Sequence, residues 1–574
     1  MSDLIKHMAT KNSNPIIGIT LEGFQVFDKP TYIPLDRLTL LFGPNSAGKS
    51  AVQDAIELYE ILLNSEAQKL DYFSMLLVRS AAPQILERHW RRRGDDRNEW
   101  VDRLSISVKH TTNCTVDEVI ADQLGRELLD DSARMCRDSL TLESRWSFLR
   151  IEDEDDKASL SCSWDFEFFI ESELLVSYVG LNFVVNLDHP VLKNIAKEVD
   201  FLAVAERYPE LVVINDGLVN FQACVSGFRP SAIGFRSTGA RWLSEISTAV
   251  GSAIVAPVTH ENQLLHAAIA EVSLLVGTAL TVSQGNSNFS PMKVDASRMV
   301  PTRKELTFQI GNLDDAMQTA SSDESKKYKS LAVSLASELT SKQEVTYPPE
   351  TLEKFPSLPT TATRRKYADA VNRALSDHLF IEQGYRLDYD FRLLMSKANS
   401  QAAIDDNELD TDEFGFLVEI FLRDGKGRKH LFEDVGSGLG YLLPVLCALF
   451  DPSLRQGGNA STCFIQQPEL HIHPALQAAM GDVFIEGSEK QVLIETHSEH
   501  LLLRILKRVR QTHLQTNIAP ELKINADDVC VLYFNPSPDG TTTVKRLRIT
   551  EDGEFMDRWP RGFFGERDQE LLDE

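Results

Sequence analysis

"GPNSAGKS", Gly43 to Ser50, decides how the rest of the chain is read. It is a full match to G-x-x-x-x-G-K-[ST], with the apolar "TYIPLDRLTLLF" before it and "SAVQDAIELYEILL" at helical spacing after it. That context predicts strand, loop, helix, an order that curls backbone N–H groups around an anion at a helix N-terminus. The loop of Gly43, Pro44, Asn45, Ser46, Ala47, Gly48, Lys49 and Ser50 is therefore expected to hold a nucleotide. In this motif Lys49 reaches the β and γ phosphates and Ser50 ligates Mg²⁺.

Three further stretches lie toward the other end of the chain. "EDVGSGLGYLLPVL", Glu433 to Leu446, sets two glycines around a serine just before an apolar helical run. A glycine turn that caps a helix explains this pattern, and so does an anion site built from exposed N–H groups and a hydroxyl. "CFIQQPELHIHPALQ", Cys463 to Gln477, reads as an apolar strand that ends in two glutamines. "VLIETHSEHLLLRI", Val492 to Ile505, reads as a strand that presents Thr496 and His497 before a helix, a suitable place for a histidine to meet a terminal phosphate.

Taken in this order, the four stretches make the chain resemble the ABC-type ATPases of the SMC, RecF and OLD grouping. In those proteins the signature serine and glycines of one subunit close over ATP held by the Walker A loop of another. The resemblance implies a signature at Gly436, Ser437 and Gly438, a Walker B end at Ile465 to Pro468, a D-loop region at His471 to Pro474 and a switch histidine at His497. More narrowly, the chain is similar to a bacterial AAA-family group that ends in a WPxGFF motif, here "WPRGFF", Trp559 to Phe564. The similarity is specific over 16–62 and 414–564; between them only "SRMVPTRKE", Ser297 to Glu305, is similar to a segment of those relatives.

The glutamines depart from the pattern. Relatives carry Glu-Glu-Pro or Glu-Gln-Pro at this strand end, which implies the Mg²⁺-supporting position for Gln466 and the general-base position for Gln467. A neutral amide supplies no negative charge against the metal, and it cannot accept a proton from water. Glu469 and Glu495 are the two candidates for the missing carboxylate. Glu469 is favoured for a catalytic role beside Gln467 and His497, although capping the "LHIHPALQ" segment explains it about as well.

The resemblance implies an α/β P-loop NTPase domain of the ABC-ATPase type, split by a long insertion of β-meander and helix. The expected divisions are an N-terminal lobe at 1–100, the insertion at 101–361, a helical return at 362–412 and a C-terminal lobe at 413–574. Runs such as "LSISVKH", "RWSFLRI" and "SWDFEFFI" predict the antiparallel meander over 104–186. The apolar run Leu264 to Val282 approaches membrane-span length, but it contains His266 and Glu271 and has no flanking Lys or Arg cluster, so a buried helix over 243–282 is expected.

Seven scattered cysteines without a CxxC pair argue against a disulfide framework or a zinc site, and Met1 to Asn14 lack signal-peptide order, so a cytoplasmic location is expected. A formal charge of −26 disfavours broad DNA binding; the best local candidate for a nucleic-acid face is "RHWRRRGDDR", Arg88 to Arg97, for which a solvated helix end is the better reading. The leading expectation is a homodimer or higher homo-oligomer closed around ATP and Mg²⁺, with slow hydrolysis, that controls a separate effector such as a nuclease in phage defence or DNA maintenance. The alternative is a self-contained nuclease of the OLD kind. It would need an acidic metal-binding domain in the 77 residues after His497, where only scattered acids such as Asp527 and Asp528 occur.

Overall fold

The computed structural model describes residues 16–63, 89–91, 101–112, 140–151, 161–179, 182–186, 212–215, 218–222, 292–298, 300–310, 328, 331–332, 335, 361–394, 415–435, 437–451, 462–488 and 491–560. The expected helix over 243–282, Gly436 of the expected signature and positions 561–564 of the tail motif lie outside these residues.

Strand β3 (Leu38–Phe42) is buried at every position and runs straight into Gly43. A strand buried on both faces belongs inside a parallel sheet covered by helices, and β3 lies there. It is flanked by β17 (Gln491–Glu495) and β18 (Val529–Pro536), both parallel to it. β16 (Thr462–Gln466) pairs parallel with β17, and β11 (Met292–Val294) pairs parallel with β16. An antiparallel edge, β19 (Thr542–Leu547), completes the order β11-β16-β17-β3-β18-β19. Three of the four stretches singled out in the sequence, those after β3, β16 and β17, thus meet at the carboxyl ends of neighbouring strands, where open α/β sheets bind ligands.

Helices cover this sheet. α1 (Lys49–Leu63) follows the P-loop, and α2 (Thr361–Arg373) continues into a π-helical turn at Ala374–Leu379. α3 (Ser437–Phe450) is apolar nearly all round, and Leu442 to Leu449 are almost fully buried wherever the side chain is hydrophobic. Such a helix is held by burial more than by propensity, at about 1.5–3 kcal/mol for each large aliphatic side chain. α4 (Pro474–Gly487) starts at an N-capping His473 with Pro474 in its first turn, the position where proline's missing N–H costs nothing. α5 (Glu499–His513) buries Leu501, Leu502, Ile505, Leu506 and Val509, while its N-cap Ser498 accepts from Leu501 N at 3.2 Å.

A second sheet of nine antiparallel strands carries the expected meander. Strands β4 (Arg103–Thr112), β5 (Leu140–Ile151), β6 (Ser161–Ile170), β7 (Glu173–Val179) and β8 (Asn182–Asn186) pair in chain order. β10 (Leu218–Gln222) and β9 (Val212–Asn215) extend one edge; β1 (Ile16–Glu22) and β2 (Thr31–Pro34) form the other. β4, which follows the expected boundary at residue 100, pairs directly with β1, which precedes it. From α1, the buried Tyr59 hydroxyl reaches His110 Nε2 and Ser144 Oγ at 3.0 Å each, tying the P-loop helix to β4 and β5. The third sheet joins β12 (Thr307–Ile310), β14 (Gly415–Arg423) and β13 (Arg386–Leu394), with β15 (Lys429–His430) on β14.

The tail contributes to the same core. Trp559 packs edge-on against Phe42, the residue before the P-loop, with ring centroids 5.6 Å apart, and lies 4.9 Å from Phe555. Among the described residues no helix is long and apolar enough to cross a membrane.

Candidate functional site

The P-loop leaves β3 at Gly43 and turns through Ser46 and Gly48, whose φ values are 63° and 88°. A Cβ on Gly48 would lie 2.2 Å from Val26, so the loop closes here only with glycine. The buried Lys49 ammonium donates to Gly43 O at 3.0 Å and Pro44 O at 2.8 Å, and it faces Glu495 Oε1 at 3.6 Å. Burial pushes its pKa below the ordinary lysine value, with Glu495 and Glu469 opposing that shift. Ser50 Oγ donates to Glu495 Oε2 at 3.0 Å. One carboxylate therefore meets both functional side chains of the motif.

The neighbouring β16 ends differently. Gln466 is the register partner of Glu495, one strand further from β3. Its amide donates to Gln53 on the second turn of α1 at 3.0 Å, and its carbonyl oxygen accepts from Ala296 N at 3.4 Å. Gln53 in turn donates to Glu57 at 2.7 Å. The expected metal position of the Walker B strand is thus engaged one helical turn away from Ser50. Gln467 sits in the left-handed region at φ 42°, with its N–H held by Glu495 O at 2.7 Å. A non-glycine residue in that region is costly and persists only where surroundings impose it.

Arg298 imposes it. This buried side chain leaves the loop after β11 and donates to the main-chain oxygens of Gln466, Gln467 and Pro468 at 3.0–3.1 Å, and to Tyr441 O in α3 at 2.9 Å. The guanidinium fork suits several fixed acceptors, which a lysine ammonium does not match. Arg298 lies within the "SRMVPTRKE" stretch, yet its role was not visible there because its acceptors are backbone atoms. The same face of α3 approaches the D-loop region: a Cβ on Gly438 would lie 3.0 Å from His471 O, and the His471 ring stacks on Tyr441 at 4.8 Å.

The switch turn follows β17. Glu469 accepts from Thr496 Oγ1 at 2.8 Å and from His497 N at 2.7 Å, so its carboxylate joins the glutamine turn to the switch turn. His497 is held below its ordinary pKa by burial first and by the Lys49 charge second, which favours the neutral ring near pH 7. Ser437 is the first residue of α3. The structure therefore brings together Lys49, Ser50, Gln466, Gln467, Glu469, Glu495 and His497 at the carboxyl ends of β3, β16 and β17.

Mg²⁺ in P-loop sites takes one or two protein oxygens and completes its shell with phosphate and water. The donors at Ser50 and Glu495, a hydroxyl and a carboxylate, fit that chemistry.

A parallel sheet with a P-loop after its central strand, and strand-end glutamine and histidine turns beside it, defines the ABC/AAA type of P-loop ATPase fold. A family model described as "AAA domain, putative AbiEii toxin, Type IV TA system" matches residues 326–504, and one described as "Protein of unknown function (DUF3696)" matches 524–573. The first match includes the glutamine and switch turns and leaves out the P-loop. No curated protein matches significantly. Similar solved structures include an SmcHead bound to the C-winged helix domain of ScpA, at 10% identity over 93% of this chain and 98% of that one, TM-score 0.36. The SMC head domain from Thermotoga maritima is 9% identical over 93% and 99%, TM-score 0.32. An Smc head with an extended coiled coil, bound to the C-terminal domain of ScpA and derived from Pyrococcus furiosus, is 12% identical over 93% and 96%, TM-score 0.32.

Proposed function

We propose that this protein is a nucleotide-gated ATPase that dimerises around ATP, hydrolyses it slowly and uses the closed state to control a partner effector. ATP lies along Gly43 to Ser50, and Gly436, Ser437 and Gly438 of a second copy close over its γ-phosphate. The observation that carries this reading is a link within each copy: Arg298 bonds the carbonyls of the glutamine turn and of α3 in one fork, so the turn beside a copy's own P-loop is fixed to the helix whose Ser437 end is offered to the second copy. A movement of the phosphate-facing turn then moves the signature helix. Two nucleotides buried at a twofold interface stabilise the closed form by mass action, and hydrolysis releases it.

Slow turnover follows from Gln467. Its amide orients a water without accepting a proton. His497, largely neutral, and Glu469, which holds the switch turn, complete the catalytic set. The toxin and Type IV system named for the matched family model fit a role in defence, with a separate effector such as a nuclease as the partner. A self-contained nuclease is less well supported, because the described residues after His497 supply β18 and β19 to the ATPase sheet and α5 to the core packed on it. Steady-state phosphate release tests the reading. Wild-type turnover is expected to be slow, absent in Lys49→Ala and raised in Gln467→Glu; fast turnover that Gln467→Glu fails to raise contradicts it.

A further inference from the structure

The two strands that end beside the P-loop divide their labour unusually. β16 and β17 run parallel and in register, so Gln466 and Glu495 stand side by side, and Glu495 is one strand nearer β3. The side chain of Gln466 engages the second turn of α1 through Gln53. The side chain of Glu495 engages the first turn, with one oxygen on Ser50 Oγ at 3.0 Å and the other 3.6 Å from Lys49 Nζ. Among the described residues Glu495 is the carboxylate hydrogen-bonded to the serine that ligates Mg²⁺ in this motif. Glu469 is occupied by Thr496 Oγ1 and the His497 N–H.

We propose that the metal-supporting carboxylate of this ATPase has moved from the Walker B strand to its neighbour, and that Glu495, acting with Ser50, holds Mg²⁺ against the nucleotide. The inference rests on the nucleotide-binding reading above. A carboxylate displaced sideways by one register-matched strand keeps its height along the sheet and comes nearer the P-loop by one strand spacing, about 4.8 Å, so the exchange costs no change of fold. It also explains why Gln466 is tolerated: the negative charge against the metal is supplied from Glu495. In the structure described here the same carboxylate faces Lys49, so nucleotide entry exchanges that ion pair for phosphate and metal.

The test is titration of the full chain with a fluorescent ATP analogue, in Mg²⁺ and in EDTA. The wild type is expected to bind roughly tenfold or more tightly with Mg²⁺, a difference of about 1.4 kcal/mol. Glu495→Gln keeps an acceptor for Ser50 and is expected to lose most of that enhancement while keeping its EDTA affinity. Ser50→Ala is expected to lose the enhancement too, and the double variant to lose no more than either single one, since both act on one ion. A full Mg²⁺ enhancement in Glu495→Gln, or additive losses in the double variant, overturns the proposal. If Glu495→Gln does not fold, Glu495→Asp draws the carboxylate back by one methylene; a several-fold smaller enhancement supports the assignment and an unchanged one overturns it. Lys49→Ala separates the two readings: wild-type affinity without Mg²⁺ dependence in that variant defeats nucleotide binding at the P-loop, whatever Glu495 does.

Discussion

Arg298 and His497 show how much a single side chain can decide at this site. Arg298→Lys keeps the charge and loses the fork, leaving several of the carbonyls of Gln466, Gln467, Pro468 and Tyr441 without their donor. At about 1 kcal/mol for each hydrogen bond lost, stability is expected to fall by about 2 kcal/mol. A purely structural role would end there. A positioning role predicts in addition that kcat falls roughly tenfold while KM for ATP stays within about twofold, because the glutamine turn shifts and the P-loop does not. For His497 the sign is set by its depressed pKa: the folded state resists protonation, so its contribution to stability is intact above the ordinary histidine value and is lost as pH falls below it toward the folded value. Lowering the pH from about 7.5 to about 5.5 is expected to reduce the urea midpoint more in the wild type than in His497→Gln. Equal shifts in the two would remove the electrostatic account. The P-loop was legible in the sequence because its chemistry is local. Glu495 was only half legible: its approach to Ser50 depends on which strands neighbour β3, and Ser50 and Glu495 are 445 residues apart.

Elements were read from periodicity with mixed success, for physical reasons. The meander over 104–186 was visible because aromatic and β-branched residues alternate there, and β4 to β8 pair in that order. β11 was not visible. Three residues, Met292 to Val294, carry no period, yet they form the edge of the ATPase sheet from within the expected insertion and place Arg298. α4 and α5 illustrate a fastening that sequence pattern does not reveal: buried Asp482 of α4 bonds Arg504 at 2.7 Å and both prongs of Arg508 at 2.7 Å. The two arginines outweigh the burial that would otherwise raise the Asp482 pKa and hold it below the usual carboxylate value. Asp482→Ala is expected to cost about 2 kcal/mol in urea unfolding, less than for a fully buried pair because Arg504 and Arg508 keep some contact with solvent. A loss below about 0.5 kcal/mol would show that apolar packing alone holds the two helices together.

At the scale of the whole molecule, the three sheets share one chain path that leaves the P-loop, builds the meander and returns through β14 and α3 to the glutamine strand. α3 and the P-loop are therefore parts of one unit, and the proposed clamp requires them to act across two copies. Sedimentation velocity of the full chain, with and without ATP and Mg²⁺, tests this most directly, with Lys49→Ala and Ser437→Arg run alongside. The wild type is expected to double its mass at saturating ATP and to hold that mass over a slow turnover, while both variants stay at the nucleotide-free mass. A wild-type chain that binds ATP to saturation without any change in mass would contradict the proposed clamp.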